Sequence, residues 1–251
     1  MGRDDTIRRE ISDRGISSLL HFPNVLNLPG ILAHGILSRR DILARGLSAY
    51  VSHAGRLDGE DSAISVSIAS VDFRMLDANR ATSPGATWMI LALDPNILWR
   101  LECRFHPSNV ASNYARWHSA HAGSTTAFLR LFENWREAGP EGARSYREGR
   151  SIPPALPTDP GAEVQVLHPI PPQMIMATGV EDERVAALVR PQLAVLSDYE
   201  RPVTVGYFRE TLATGSPVLD RRKRQTRRGV ISPSPALQIR RGPSRVRPAP
   251  L

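Results

Sequence analysis

Apolar positions along the chain change period several times, and each change marks an element. Residues 1–17 are charged and lack a clear period, which predicts a ragged or short helical lead-in. Ser18–Phe22 (SLLHF) reads as a short strand. Asn24–His34 then places Val25, Leu28, Ile31 and Leu32 at helical spacing, with Gly35 where a helix-terminating glycine sits. Proline is tolerated only in the first helical turn, so Pro29 predicts a late start near Leu28. Residues 39–61 are polar and punctuated by glycine, a loop with some helical turns. Ala63–Ile68 (AISVSI) alternates like a half-buried strand, and Thr87–Leu93 (TWMILAL) is an apolar run closed by Asp94-Pro95.

Further along, Thr125–Ala138 places Ala127, Phe128, Leu131, Phe132 and Trp135 on one helical face. Residues 139–162 have no period and are rich in proline and glycine; a loop of that length inside a compact body is either functional or disordered. Glu163–His168 and Gln173–Thr178 read as strands, and Glu181–Arg190 as a helix that Pro191 stops or kinks. No internal repeat and no regular βαβ alternation are present. The order fits an α+β domain better than a doubly wound sheet.

With 251 residues and 41% hydrophobic content, the chain can bury a core. No run approaches the roughly 18 apolar residues of a membrane helix, and the first residues lack a secretory apolar block, so a cytosolic protein is expected. Cys103 stands alone, which excludes an intrachain disulfide and a four-cysteine zinc site. The net charge of +7 is unevenly placed. Between Arg221 and Leu251 lie ten basic residues, five prolines and no acidic residue, so the body before them carries −3. Residues 1–215 are accordingly expected to form the domain, and 216–251 a flexible basic tail suited to nonspecific phosphate binding.

Familiar phosphate cradles are missing: the chain has neither GxxxxGK[ST] nor GxGxxG, and no GxSxG elbow. Cys103, His106, His118 and His121 form CxxH followed by HxxH, which is ligand spacing. Seven histidines make such pairs easy by chance, and Cys103 follows an apolar strand, so no metal site is assigned.

More informative is a set of features in fixed order: His21-Phe22 ending the first strand, Asn27-Leu28-Pro29-Gly30-Ile31-Leu32, His34-Gly35-Ile36-Leu37-Ser38, Arg56 ahead of ISVSI, and Ala162-Glu163-Val164 after the long loop. On these residues the chain resembles the DarT-type DNA ADP-ribosyltransferase toxins, over roughly residues 18–180. The resemblance implies an ADP-ribosyltransferase-like fold, two small β-sheets around an NAD cleft with peripheral helices, and no metal. Carried over by position, His21, Phe22, Pro23, Gly30 and Ser38 become NAD contacts, Arg56 the catalytic arginine with a share in NAD binding, and Glu163 the catalytic glutamate. One departure stands out. The family commonly has His-Phe-Thr where this chain has His21-Phe22-Pro23, and proline offers neither a backbone donor nor a hydroxyl. A macrodomain antitoxin that removes ADP-ribose is the partner the resemblance implies.

Chemistry supports the same assignment. Breaking the bond between ribose and nicotinamide builds positive charge on the sugar, which a nearby carboxylate stabilises more in the transition state than in the ground state. An arginine is nearly always protonated, so Arg56 is better suited to NAD phosphates or an anionic base than to removing a proton. Taken singly, an arginine in a glycine-rich loop is ordinarily a solvated charge, and a histidine beside phenylalanine a structural one; their order is what joins them.

Arg144, Arg147 and Arg150 recur every three residues in the long loop with Tyr146 between them. Cations for phosphates and an aromatic for base stacking are what single-stranded DNA requires, though a plain flexible loop would carry the same residues. Two other readings compete: the same fold acting on RNA or protein, and a nucleic-acid-binding protein without catalysis. Whether thymine or guanine is modified is left open.

Overall fold

The computed structural model describes residues 2–51, 59–108, 121–137 and 144–206, the side chain of Arg144 excepted. Nine strands are described: β1 (Leu19–His21), β2 (Ile64–Ile68), β3 (Met89–Leu93), β4 (Cys103–His106), β5 (Arg136–Glu137), β6 (Arg144–Ser145), β7 (Glu163–Val166), β8 (Ile175–Val180) and β9 (Val203–Val205). The described helices are α1 (Arg3–Arg14), α2 (Leu28–His34), α3 (Arg39–Ala44), α4 (Phe73–Thr82), α5 (Ile97–Arg100), α6 (Thr125–Arg130), α7 (Tyr146–Gly149) and α8 (Glu183–Leu193).

Seven strands form one sheet in the order β4-β7-β2-β1-β3-β8-β9, and β5 and β6 form a separate hairpin. All pairings in the large sheet are antiparallel except β8 with β9. Where the resemblance implies two small sheets around a cleft, the described residues form, besides the β5–β6 hairpin, one large mixed sheet. Its halves meet at β1 and β2 through only two residue pairs, Leu19↔Ile68 and Leu20↔Ser67, because β1 is three residues long. The α+β class read from the sequence holds.

Strand alternation decides what each face of the sheet covers. Leu19, Ile64, Val66, Ile68, Leu91, Leu93, Phe105, Val164 and Val166 point into the main core together with α1, α2, α6 and α8. On the opposite face, Leu20, Ile90, Ala92 and Ala177 form a smaller cluster with Leu76 of α4 and Trp88. That cluster covers β1, β3 and β8. The β2, β7 and β4 part of the same face carries Ser65, Gln165, Glu163, Arg104 and His106 instead. One half of a sheet face is therefore polar, and it is the half in which the candidate glutamate lies.

Local sequence explains the helices that pattern alone underrates. The charged lead-in is a full helix, because Ile7 and Ile11 share a buried side and Gly15 closes it at φ 68°. Its cations also pack flat: Arg8 lies 5.6 Å over Trp99 and Arg14 4.2 Å over Phe132. As expected, α2 starts at Leu28 with Pro29 in its first turn. Helix α8 runs through Pro191 to Leu193 although the ring has no N–H to offer the carbonyl four residues back, so the expected stop comes two residues later. By contrast α6 stops at Arg130, and Trp135 leaves the helical face it was assigned to.

Gly35 is the glycine the fold requires. Its φ is +84°, and a Cβ there would lie 2.6 Å from the carbonyl oxygen of Ile170, whose strand-like bridge to Ile36 closes the end of α2. Gly35→Ala is expected to lower stability by at least about 1–3 kcal/mol from backbone strain alone, read as a fall in the thermal midpoint.

Candidate active site

The site begins where the β1–β2 ladder ends. Past Leu20 the strands no longer pair, and the His21 imidazole reaches across instead, its Nδ1 2.9 Å from the Ser65 carbonyl oxygen. A carbonyl can only accept, so Nδ1 carries the hydrogen and Nε2 of the neutral ring is an acceptor. On the other side of β1 the register His21↔Leu91 continues to Pro23, whose carbonyl accepts from Met89 N–H at 3.1 Å. The return bond cannot form, because proline has no N–H. That loss explains why the strand is recorded only to His21. Pro23 is buried, and Phe22 packs against the smaller cluster.

Downstream, Asn27 ties two segments together. Its side chain donates to the Tyr50 carbonyl at 2.9 Å and accepts from Tyr50 N–H at 2.7 Å, which fixes the chain that runs toward position 56. Arg56 itself lies outside the described residues. Gly30 sits in the first turn of α2, and an added Cβ would meet no atom within 4 Å. Packing within the chain does not explain that glycine, unlike Gly35. Ser38 is buried and already engaged: it caps α3 by accepting from Asp41 N–H at 3.1 Å and donates its hydroxyl to the Asp41 carboxylate at 2.7 Å.

Glu163 opens β7, the strand between β2 and β4. Val164 and Val166 are buried in the main core, so the period of two sends Glu163 and Gln165 to the polar face. Glu163 pairs in register with His106, and Gln165 with Ser65 on one side and Arg104 on the other. Only β2 separates β7 from β1, which puts the two backbones roughly 10 Å apart. The two residues come from neighbouring levels of strands two places apart, but alternation gives His21 the face of Leu19 and Leu91 and Glu163 the opposite one, so the ladder alone does not bring their side chains together.

Flanking groups extend this polar patch. Arg104 forms a 2.8 Å ion pair with Glu60. The Ser62 hydroxyl also hydrogen-bonds Glu60 and, with Arg104, holds its carboxyl below the usual range despite partial burial. The Cys-x-x-His pair does not converge, because Cys103 faces the core and His106 the polar face. Burial pushes the Cys103 thiol up to about 12, whereas a metal needs the thiolate. No group of three or more metal-binding side chains occurs among the described residues. His118 and the tail from 207 onward lie outside them.

The residues expected to meet DNA separate into different roles. Arg147 is buried, and its guanidinium donates to Thr158 Oγ1 at 2.6 Å and to the carbonyls of Pro153 and Leu156, both at 2.9 Å. Burial and the charge of Arg14 draw its pKa below the usual arginine value. It faces into the loop, not toward solvent. Thr158 in turn donates to Glu133 O at 2.7 Å and, through its backbone, to Leu131 O at 2.8 Å. The stretch before Glu163 is therefore a stitched structure rather than a plain flexible loop. Arg150 pairs with Glu137 at 2.8 Å and lies 3.8 Å over the Tyr146 ring. Of Arg144 only the backbone, in β6, is described.

Pattern reading takes Trp135 as part of a helical face and His106 as a candidate metal ligand, neither as a group beside a cleft. The alternation Cys-Arg-Phe-His was the available signal for β4 and for the outward side of His106.

A family model described as "DarT: ssDNA thymidine ADP-ribosyltransferase, DarT" matches residues 20–205. The chain belongs to the DarT family. Among solved structures it is similar to Thermus sp. 2.9 DarT in complex with NAD+, at 16% identity over 77% of this chain and 97% of that one, TM-score 0.49. It is similar to the same DarT in complex with ADP-ribosylated ssDNA, at 17% identity over 77% and 96%, TM-score 0.47. It is also similar to Thermosipho africanus DarTG in complex with ADP-ribose, at 18% identity over 76% of this chain, TM-score 0.46; this chain spans 50% of that one. No curated protein matches it. The family description names thymidine, where the residues alone leave thymine and guanine open.

Arg147→Ala should remove three hydrogen bonds, of whose acceptors Pro153 O keeps Leu156 N–H at 3.0 Å, lower stability by about 2–4 kcal/mol and make the 150–158 stretch the first site of limited proteolysis.

Proposed function

We propose that this DarT-family chain cleaves NAD between nicotinamide and ribose and transfers the ADP-ribosyl group to a thymine base of single-stranded DNA. The observation that carries this is the β2–β7–β4 register, which holds a carboxylate at 163 on the polar half of the sheet, close to the end of β1. Nicotinamide leaves with the bonding electrons, and Glu163 stabilises the positive charge that develops on the sugar. A hydrogen bond from a ribose hydroxyl to the same carboxylate orients the electrophile. His21 presents its Nε2 as an acceptor toward NAD because Ser65 fixes the proton on Nδ1. Gly30 leaves open space for NAD to approach the backbone of α2, and Phe22 and Pro23 flank it. Ser38 acts through Asp41 and α3 rather than through a free hydroxyl.

Thymine has one ring N–H, on the edge it uses for base pairing, so the base must be unpaired before that nitrogen can reach the sugar. As the new bond forms, the nitrogen gives up its proton to water, and nicotinamide departs as the neutral base. Arg56 stabilises the anionic base or the NAD phosphates. Arg144 and Arg150 hold DNA phosphates, and Arg147 serves as the clamp of the loop that presents them. Residues 1–215 form the catalytic domain and 216–251 add sequence-independent phosphate affinity. A macrodomain antitoxin that removes ADP-ribose is the fitting partner, and the cytoplasm, where NAD and DNA meet, the fitting compartment. No helix among the described residues is long and apolar enough to cross a membrane.

Glu163→Gln keeps size and hydrogen bonding but removes the charge. It should cut DNA modification by about 10²–10³-fold, measured by mass spectrometry of short thymidine-containing oligonucleotides after exposure to protein and NAD; full activity in this variant would refute the role. Deleting residues 221–251 should weaken DNA binding most at low salt while NAD cleavage persists, and unchanged affinity would remove the tail from the picture.

A further inference from the structure

Trp135 is 45% exposed, whereas Trp88 is 5% exposed within the smaller cluster. Its ring stacks on Tyr146 with centroids 4.2 Å apart and planes inclined by 32°. Arg150 Cζ lies 3.8 Å from the centroid of the same tyrosine ring. An indole and a guanidinium so close to one ring cannot share a face of it, so Tyr146 is covered on both sides. The base-stacking role expected of Tyr146 is therefore closed to it. The open end of the pile is the outer face of Trp135.

We propose that this outer face stacks one unpaired base of the DNA strand, beside the thymidine that is modified. The proposal rests on the reading of the chain as a single-stranded-DNA ADP-ribosyltransferase and adds a residue that grips a flanking nucleotide. Indole offers the largest π surface among the side chains, and stacking on it accepts any base. The ring is held before DNA arrives: Tyr146 N–H donates to Trp135 O at 2.8 Å, Arg147 N–H to Asn134 Oδ1 at 3.2 Å, and Arg150 is braced by Glu137 at 2.8 Å. Such preorganisation lowers the entropic cost of gripping a flexible strand. The pile also joins the catalytic strand. Arg147 and Thr158 bind the hairpin to the loop, and the Asp159 turn, closed by Gly161 N–H to Oδ1 at 2.7 Å, leads directly into Glu163. A base resting on Trp135 would be held at a fixed offset from the carboxylate.

The test uses the full chain as wild type, Trp135→Ala and Trp135→Phe, with oligonucleotides that carry one thymidine and an abasic nucleotide stepped through each flanking position. DNA modification is followed for KM and kcat, and NAD hydrolysis without DNA is measured in parallel. Trp135→Ala should raise the KM for DNA about 5- to 150-fold, with kcat and NAD hydrolysis within about twofold of wild type and Trp135→Phe recovering most of the loss. One abasic position should raise the wild-type KM by a similar factor and add nothing further in Trp135→Ala. An unchanged KM, or an abasic penalty that is the same in both proteins, overturns the proposal. Unchanged KM together with lost binding of a protein partner would assign the face to protein contact and overturn it as well. A wild type that hydrolyses NAD but modifies no single-stranded DNA defeats the broader reading and this one with it.

Discussion

The pairing of β7 with β2 and β4 is the constraint on which the site depends. Val164 and Val166 are fully buried, and their burial fixes which way every other residue of the strand must point. Glu163 and Gln165 face the polar side only because the valines face the core. A slip of one residue would drive the carboxylate into the apolar interior and turn the valines outward, a cost the sheet does not bear. The position of the candidate carboxylate is thus enforced by the burial of the valines beside it.

A second level of organisation lies in the loop before β7. A segment rich in proline and glycine has little secondary structure to hold it, and here a buried guanidinium supplies the order. Arg147 satisfies two backbone carbonyls and the Thr158 hydroxyl at once, using two nitrogens of a rigid planar fork, whereas a lysine would have to reach all three from a single nitrogen. The hairpin bearing Trp135 and the strand bearing Glu163 are linked through that one side chain and through Thr158.

Much of this was legible from the chain. The alternating ISVSI, the apolar TWMILAL run and the late start of α2 at Pro29 are local patterns with local causes, and each appears where expected. Elements that failed to announce themselves owe their form to neighbours. The four residues of β4 alternate, but so short a run is weak evidence for a strand, and β9 is recognisable only by its pairing with β8. Helix α4 buries little besides Leu76 and Asn79, so its apolar face is faint. Trp135 extends the spacing of Phe128, Leu131 and Phe132, yet the chain turns away after Arg130 to form the hairpin. Arg147 reads as one more cation in a basic loop; its burial comes with the Pro153 and Leu156 carbonyls and the Thr158 hydroxyl that it binds, which the fold alone brings around it. The glutamate and the histidine were visible through their order in the chain, while the strands that carry them, two places apart, required the sheet.

The lone thiol of Cys103 lies wholly inside the main core with its proton held to about pH 12. Oxidants and alkylating reagents act on thiolates that solvent can reach, so the folded chain offers them no handle. Thiol labelling of the native protein would therefore clock the opening of the core itself.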